Sequence, residues 1–248
     1  MGDSIRVRVD GAVGWVEIDR PQRANAYTTA MLDAIAAGVR RHVADEAVRV
    51  IAVGSTTPGR FCAGADLDEI HDRGIEDALE LRALAVFDGI AEAPKPTLAA
   101  IDGPAIGGGL ELALACDLRI ATPRARFALP ETGFGVLPAA GGAFRLPALV
   151  GPGVARELIL FGGELDGARA ARCGLVNELA EPHDLEERVA WWCASAARRD
   201  PLATRLAKRA MALSVADGGG REFARCAQGV LYERLRDGTR RDDPEDPA

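Results

Sequence analysis

An α/β core followed by a helical block is the fold class that this sequence predicts, and three features predict it. Strand-like and helix-like segments alternate over most of the chain. Residues 48–53 (VRVIAV) form an apolar, β-branched run of the kind that fills a strand buried on both faces. From Asp184 onward the apolar residues recur only at helical spacing. Alternation first and helices afterwards describe a layered core with a helical appendage. The 248 residues, 48% of them hydrophobic, suffice for such a core. The expected division is a core over residues 1–183, a helical region over 184–236 and a charged, proline-containing tail over 237–248.

Residues 5–9 and 13–18 alternate around Gly11 and Gly14, which predicts a hairpin; Arg20-Pro21 ends its second strand. Thr28 or Thr29 caps a helix that carries Met31, Leu32, Ile35 and Val39 on one face. After the 48–53 strand, a loop over 55–59 leads into FCAGADL, residues 61–67. A helix is expected over 76–91, with Leu79, Leu84, Phe87 and Ile90 at helical spacing, and a strand over 97–101 follows Pro94 and Pro96. Short strands are expected over 117–121 and 126–128, a turn over 130–133, and no regular element over 135–142, where Gly, Pro and Ala dominate. A helix opens at Gly151-Pro152 and runs to 161, Asp166 caps a short helix ending at Gly174, and 175–179 is the last strand. Helices over 185–197, 202–215 and 222–236 complete the chain.

Composition excludes several classes of function. A net charge of −7 argues against a non-specific nucleic-acid binder but leaves a small anionic ligand open. The five cysteines are scattered and form no C-x-x-C pair, which fits reduced thiols and a cytoplasmic location. His42, His71 and His183 are far apart, so no metal site is expected. No apolar run reaches membrane-spanning length and MGDSIRVRVD lacks a signal-peptide core, so no membrane association is expected.

The stretch IDGPAIGGGLELALACD, residues 101–117, carries the chemistry. Three glycines, Gly107 to Gly109, open an apolar helix interrupted by one carboxylate, Glu111. The amides at such a start lack intrahelical partners, and without a Cβ a ligand atom can reach them, which is how backbone stabilises an oxyanion. A carboxylate in an apolar run must be paired, hydrogen-bonded or used. The same residues also suit close helix packing with Glu111 as a cap or salt-bridge partner. FCAGADL has small residues at Ala63, Gly64 and Ala65 beside Asp66, which suits either a ligand lying against backbone amides or a tight turn capped by Asp66.

Taken together, RPQRANAYT (20–28), FCAGADL, PAIGGGLELALACD and RFALPETGFGVLPAAGGAFRL (126–146) resemble the crotonase superfamily, the enoyl-CoA hydratase/isomerase family, over most of the chain. The resemblance implies a spiral of repeated ββα turns with C-terminal helices that build homotrimers or homohexamers. It implies stabilisation of a thioester enolate by the amides of Ala65 and Gly108, and acid–base work on one water by Glu111 and Glu131. It also implies an acyl-CoA substrate, with coenzyme A entering as part of the substrate and no separate cofactor. Arg23, Ala24, Ala26, Ala63, Asp66 and Leu67 would receive its CoA portion, and the Ala139 amide would hold water. Arg23 suits a phosphate, although the same residue also suits a solvated surface. The chain departs from the family pattern at Tyr27, where an apolar residue is usual, at Asp68, where lysine is frequent, and at Ala139, where many hydratases have glycine. The C-terminal pattern is also altered, to Tyr232-Glu233-Arg234-Leu235. The expected activity is hydration of a 2-enoyl-CoA; the alternatives are a Δ3,Δ2-enoyl-CoA isomerase or other chemistry of this type, and a CoA-thioester-binding scaffold.

Overall fold

The computed structural model describes residues 4–70 and 80–216, together with residues 226, 228 and 230. The chain divides into two compact units, Met1–Arg198 and Arg199–Ala248.

In the first unit the expected hairpin forms from β1 (Ile5–Asp10) and β2 (Val13–Ile18), antiparallel from Ile5 against Ile18 to Asp10 against Val13. β2 then pairs in parallel with β3 (Val50–Ser55), and β3 pairs with β4 (Thr97–Ile101). β6 (Leu118–Ala121) and β9 (Glu178–Leu179) continue the parallel sheet, in the order β1-β2-β3-β4-β6-β9. A smaller sheet holds β5 (Ala105–Ile106), β7 (Arg126–Ala128) and β8 (Glu164–Asp166).

Successive side chains of a strand point to opposite faces, and the large sheet uses both. Val16, Ile18, Ile51, Val53, Ala99, Ile101 and Ala121 enter the main core. Trp15, Val50, Ala52, Leu98, Ala100 and Ile120 enter a second cluster, closed by Leu185, Val189 and Cys193 of the Leu185–Ala197 helix. Burial on both faces is the reason Val50, Ile51, Ala52 and Val53, after Arg49, read as a continuous apolar run. It also places the Leu185–Ala197 helix within the first unit, so that unit runs to Arg198 and the boundary expected after residue 183 falls later.

Between the hairpin and β8 the chain repeats one motion: a strand in the large sheet, a short extended segment beside it, then helix. β2 is followed by Tyr27, bridged to Ala65, and the Thr29–Ala44 helix, which Thr28 caps by accepting from the Met31 amide. β3 is followed by Cys62, bridged to Ala105, and the short Leu67–Ile70 helix. β4 leads to β5 and the Gly108–Leu114 helix, and β6 leads to β7, the 3-10 turn Glu131–Phe134 and the Gly142–Phe161 helix. These turns are the ββα spiral.

Three elements differ from expectation. The helix expected over 76–91 is broken at Leu81 (φ 33°, ψ 61°), so it runs over Arg82–Ala91, and residues 76–79 of the expected span lie outside the described ones. The helix expected to open at Gly151-Pro152 and run to 161 does open there, because Gly151 (φ 77°, ψ 160°) is non-helical and Pro152 follows it. A second helical stretch that was not expected, from Gly142 to Val150, leads directly into it, so Gly142–Phe161 is two helical segments joined at a kink. The last strand is two residues long because Leu175 and Val176 turn back, their amides donating to Ala170 O. Asp166 does cap the Gly167–Arg172 helix through the Arg169 amide at 2.7 Å.

In the second unit the Pro201–Ala216 helix starts on Asp200, whose side chain accepts from the Ala203 amide at 2.8 Å. The helix expected over 222–236 and the tail over 237–248 lie outside the described residues, apart from positions 226, 228 and 230. Among the described residues, no helix is long and apolar enough to cross a membrane.

Candidate active site

Four glycines bring two backbones into contact. Gly107 turns the chain from β5 into the Gly108–Leu114 helix at φ 54°, ψ −127°, a conformation that side chains disfavour. A Cβ on Gly109 would run into the Cys62 carbonyl, and one on Gly108 into the Tyr27 hydroxyl. A Cβ on Gly64 (φ 96°) would lie 2.9 Å from Ile106 O and 3.2 Å from Gly108 N. Residues 61–66 and the glycine turn therefore lie backbone to backbone, with no room for side chains. Tyr27 donates its amide to Gly64 O and accepts from the Asp66 amide, both at 2.8 Å. That pairing uses one edge of the segment, so the Ala65 N–H faces the other. The Ala65 and Gly108 amides have no acceptor among the described residues. At the far end of the helix buried Arg119 donates to Cys116 O at 2.6 Å and to Leu175 O at 2.7 Å, satisfying carbonyls and fixing the helix.

Glu111, on this buried helix, is 4% exposed, and its Oε1 accepts from the Gly142 amide at 2.9 Å. Burial pushes its carboxyl up to about 7, and the charge of Glu131 adds to the rise, against the Gly142 and Ala140 amides and Arg145. Glu131 stands in the 3-10 turn after β7, its Oε1 3.0 Å from where a Cβ on Gly107 would lie. Burial raises its carboxyl as well, and its Oε2 is buried without a hydrogen-bond partner among the described residues. Two carboxylates from different turns of the spiral thus meet beside the glycine turn. Close carboxylates resist double ionisation, so this pair can take one proton and give another.

A family model described as enoyl-CoA hydratase/isomerase matches residues 8–234. The chain belongs to the enoyl-CoA hydratase/isomerase family. A Bacillus subtilis (strain 168) protein named as an enoyl-CoA hydratase/isomerase is 40% identical over 217 residues, spanning 85% of this chain and 82% of its own length. Among solved structures, enoyl-CoA hydratase subunit I of Geobacillus kaustophilus HTA426 superposes with a TM-score of 0.88 at 36% identity, covering 95% of this chain and 93% of that one. A Thermobifida fusca YX family member in complex with CoA superposes with a TM-score of 0.85 at 27% identity, covering 95% of each chain. Family membership carries crotonase-type acyl-CoA chemistry.

For a family member, the residues expected to meet the CoA portion have uneven surroundings. Ala63 and Leu67 are exposed beside the FCAGADL turn. Ala24 and its neighbour Asn25 take left-handed conformations, φ 50° and 60°, in a tight turn held by Asn25. Asn25 Oδ1 accepts from the Arg20 amide, and its Nδ2 donates to Ser55 Oγ and Phe61 O. Asp66 has a structural partner: Arg20 Nη1 donates to its Oδ2 at 2.5 Å and to Ala26 O at 3.0 Å, which holds the carboxyl below the usual range. Arg23 is exposed and paired with Asp68 at 3.0 Å. The Ala139 amide, expected to hold water, donates instead to Leu137 O at 2.8 Å.

The reading from sequence missed Arg20, Asn25 and the Gly142 amide. Arg20 and Asn25 stood inside RPQRANA, but their partners lie 46 and 36 residues away, at Asp66 and Phe61, and spacing does not reveal such bonds. Gly142 was legible only as one of a cluster of glycines in a segment expected to be irregular.

Proposed function

We propose that the chain hydrates the 2,3 double bond of a 2-enoyl-CoA thioester. The observation that carries this reading is the convergence of Glu111, buried, and Glu131, half-buried, both raised, beside the Ala65 and Gly108 amides. The thioester oxygen would accept from those two amides, which stabilise the negative charge it gains as the enolate forms. A water held by the carboxylate pair would lose a proton to the ionised member while its oxygen bonds to C3. The protonated member would then give its proton to C2, so the pair ends with one proton, as it began. Coenzyme A enters as the handle of the substrate, and Arg23, Ala24, Ala26, Ala63 and Leu67 are proposed to border it. The exposed apolar side chains of Phe134, Leu137, Leu160, Phe161 and Trp191 fit a homotrimer or a hexamer built from trimers, which light scattering would test against a monomer.

The test is a set of glutamine variants, Glu111→Gln, Glu131→Gln and the double, assayed for hydration and for double-bond migration on a panel of straight-chain 2-enoyl-CoA and 3-enoyl-CoA thioesters. If both carboxylates act in one step, each single variant loses on the order of a hundred- to ten-thousandfold, and the double loses far less than the product. CoA-ester binding survives in all three. Full hydration in either single variant overturns the paired-carboxylate reading. One severe and one mild variant, with migration outpacing hydration, identifies an isomerase. Binding of every ester without turnover identifies a scaffold.

A further inference from the structure

Tyr27 is the residue that touches both amide-bearing segments. Its main chain pairs with Gly64 O and the Asp66 amide, which fixes the direction of the Ala65 N–H between them. Its phenol reaches across to the glycine turn. A Cβ on residue 108 would meet the Tyr27 hydroxyl, and would lie 2.8 Å from its Cζ and 3.0 Å from its Cε1. The ring cannot easily retreat, because it is 3% exposed and is held edge-on against Phe87, with centroids 5.9 Å apart at 89°. One rigid side chain of fixed length therefore spans from the Ala65 strand to the Gly108 Cα. A donor pair stabilises a developing oxyanion only when both hydrogens point at one atom, and small misplacements are costly.

We infer that Tyr27 is the positioning residue of the oxyanion site: its backbone aims the Ala65 amide, and its phenol sets how closely the Gly108 amide approaches it. The inference rests on the proposed role of those two amides. It also gives a reason for glycine at position 108 that is separate from the chain direction, since the space for a side chain is filled by the phenol.

The experiment compares wild type, Tyr27→Phe, Tyr27→Leu, Gly108→Ala and Gly108→Ala/Tyr27→Leu. Each is assayed for turnover of the best 2-enoyl-CoA of a straight-chain panel and for the absorption band of the bound enoyl thioester, which donors to the carbonyl oxygen shift to longer wavelength. Tyr27→Phe removes only the hydroxyl and keeps the ring against Phe87, so it decides the matter if the leucine variant folds poorly. Tyr27→Phe and Tyr27→Leu are expected to lower kcat by about tenfold or more with KM changed less than about threefold, and to move the bound band back toward its free position. Gly108→Ala is expected to cost about a hundredfold alone and about tenfold less in the Tyr27→Leu background, because the added methyl then has room. Normal kcat and an unshifted band in Tyr27→Phe, or the same cost of Gly108→Ala in both backgrounds, overturns the inference while leaving the two amides in their proposed role. Near-normal turnover of Gly108→Ala in the wild-type background also overturns the inference, because the phenol then does not confine position 108, while the amide that alanine keeps retains its proposed role. A bound band that is unshifted in the wild type removes that role and the inference with it.

Discussion

The Gly142 amide donates to Glu111 Oε1 at 2.9 Å, yet the carboxyl it grips is pushed up to about 7. Burial outweighs the hydrogen bond, and repulsion from Glu131 acts in the same direction. The Gly142–Phe161 helix and the Gly108–Leu114 helix therefore meet at a group whose ionisation works against folding.

A cost in stability follows, and its sign is fixed. The folded state holds the Glu111 proton more tightly than the unfolded chain, whose value is about 4.5. Stability is therefore fullest below about 4.5 and falls as pH rises through about 7, by roughly 3 kcal/mol once Glu111 is ionised. Glu111→Gln keeps the bond from Gly142 and removes the charge. Urea unfolding should find the variant more stable than wild type by about that amount above pH 8, with the gap closing near pH 4.5. An equal gap at both pH values would mean that Glu111 ionises normally.

The same titration should appear in the rate. If the working state is the pair with one proton, kcat/KM falls as pH rises through about 7, where Glu111 loses its proton, and falls again in acid as Glu131 gains one. Glu131→Gln removes the repulsion that raises Glu111, so the alkaline limb of its residual activity should move to lower pH. A limb that stays in place would show that burial alone sets the value.

Elements long enough to show a period were legible in the sequence. The hairpin, the strand over Val50–Ser55 and the Thr29–Ala44 helix each present a repeat of two or of about four residues, or, at 50–53, a continuous apolar run. β5, with two residues, and β8, with three, are too short to show one. The spiral shows no sequence repeat because its helices differ greatly in length, as between the sixteen residues of Thr29–Ala44 and the seven of Gly108–Leu114. The Gly151-Pro152 pair read as a helix start, which its non-helical backbone bears out, whereas the stretch before it, opened by Gly141 and Gly142 and holding Pro147, carried no helical signal. At the site, glycines and carboxylates stood out by residue type, whereas the bonds that hold them, Arg20 to Asp66 and Gly142 to Glu111, are long-range and carried no local signal.

Arg20 and Asp66 should matter through folding. Their side chains are 16% and 7% exposed, and the pair anchors the segment that presents the Ala65 amide. Asp66→Ala leaves a largely buried guanidinium unpaired, so a loss of about 2–4 kcal/mol is expected in urea unfolding. Asp66→Asn keeps an acceptor for Arg20 and should lose less. A neutral Asp66→Ala combined with weakened CoA-ester binding would instead return Asp66 to a ligand role.

Arg23 and Asp68 should behave in the opposite way. Their side chains are 53% and 72% exposed at 3.0 Å, and an ion pair so placed contributes about 1 kcal/mol or less to stability. Asp68→Ala should therefore leave unfolding unchanged. Binding is where the pair acts, since Asp68 neutralises the exposed cation proposed to border the CoA portion and adds repulsion toward phosphate. Removing it should tighten CoA-ester binding by about three- to tenfold at low salt, and Asp68→Lys by more. The gain should shrink as salt is raised, because exposed charges are screened over about 8–10 Å at physiological ionic strength. Calorimetric titration with crotonyl-CoA and with its pantetheine analogue separates the causes. A gain confined to the CoA ester is an effect on phosphate. An equal gain for both esters would place Asp68 against the acyl or pantetheine part, and no gain for either would leave Arg23 a surface residue outside the substrate's path.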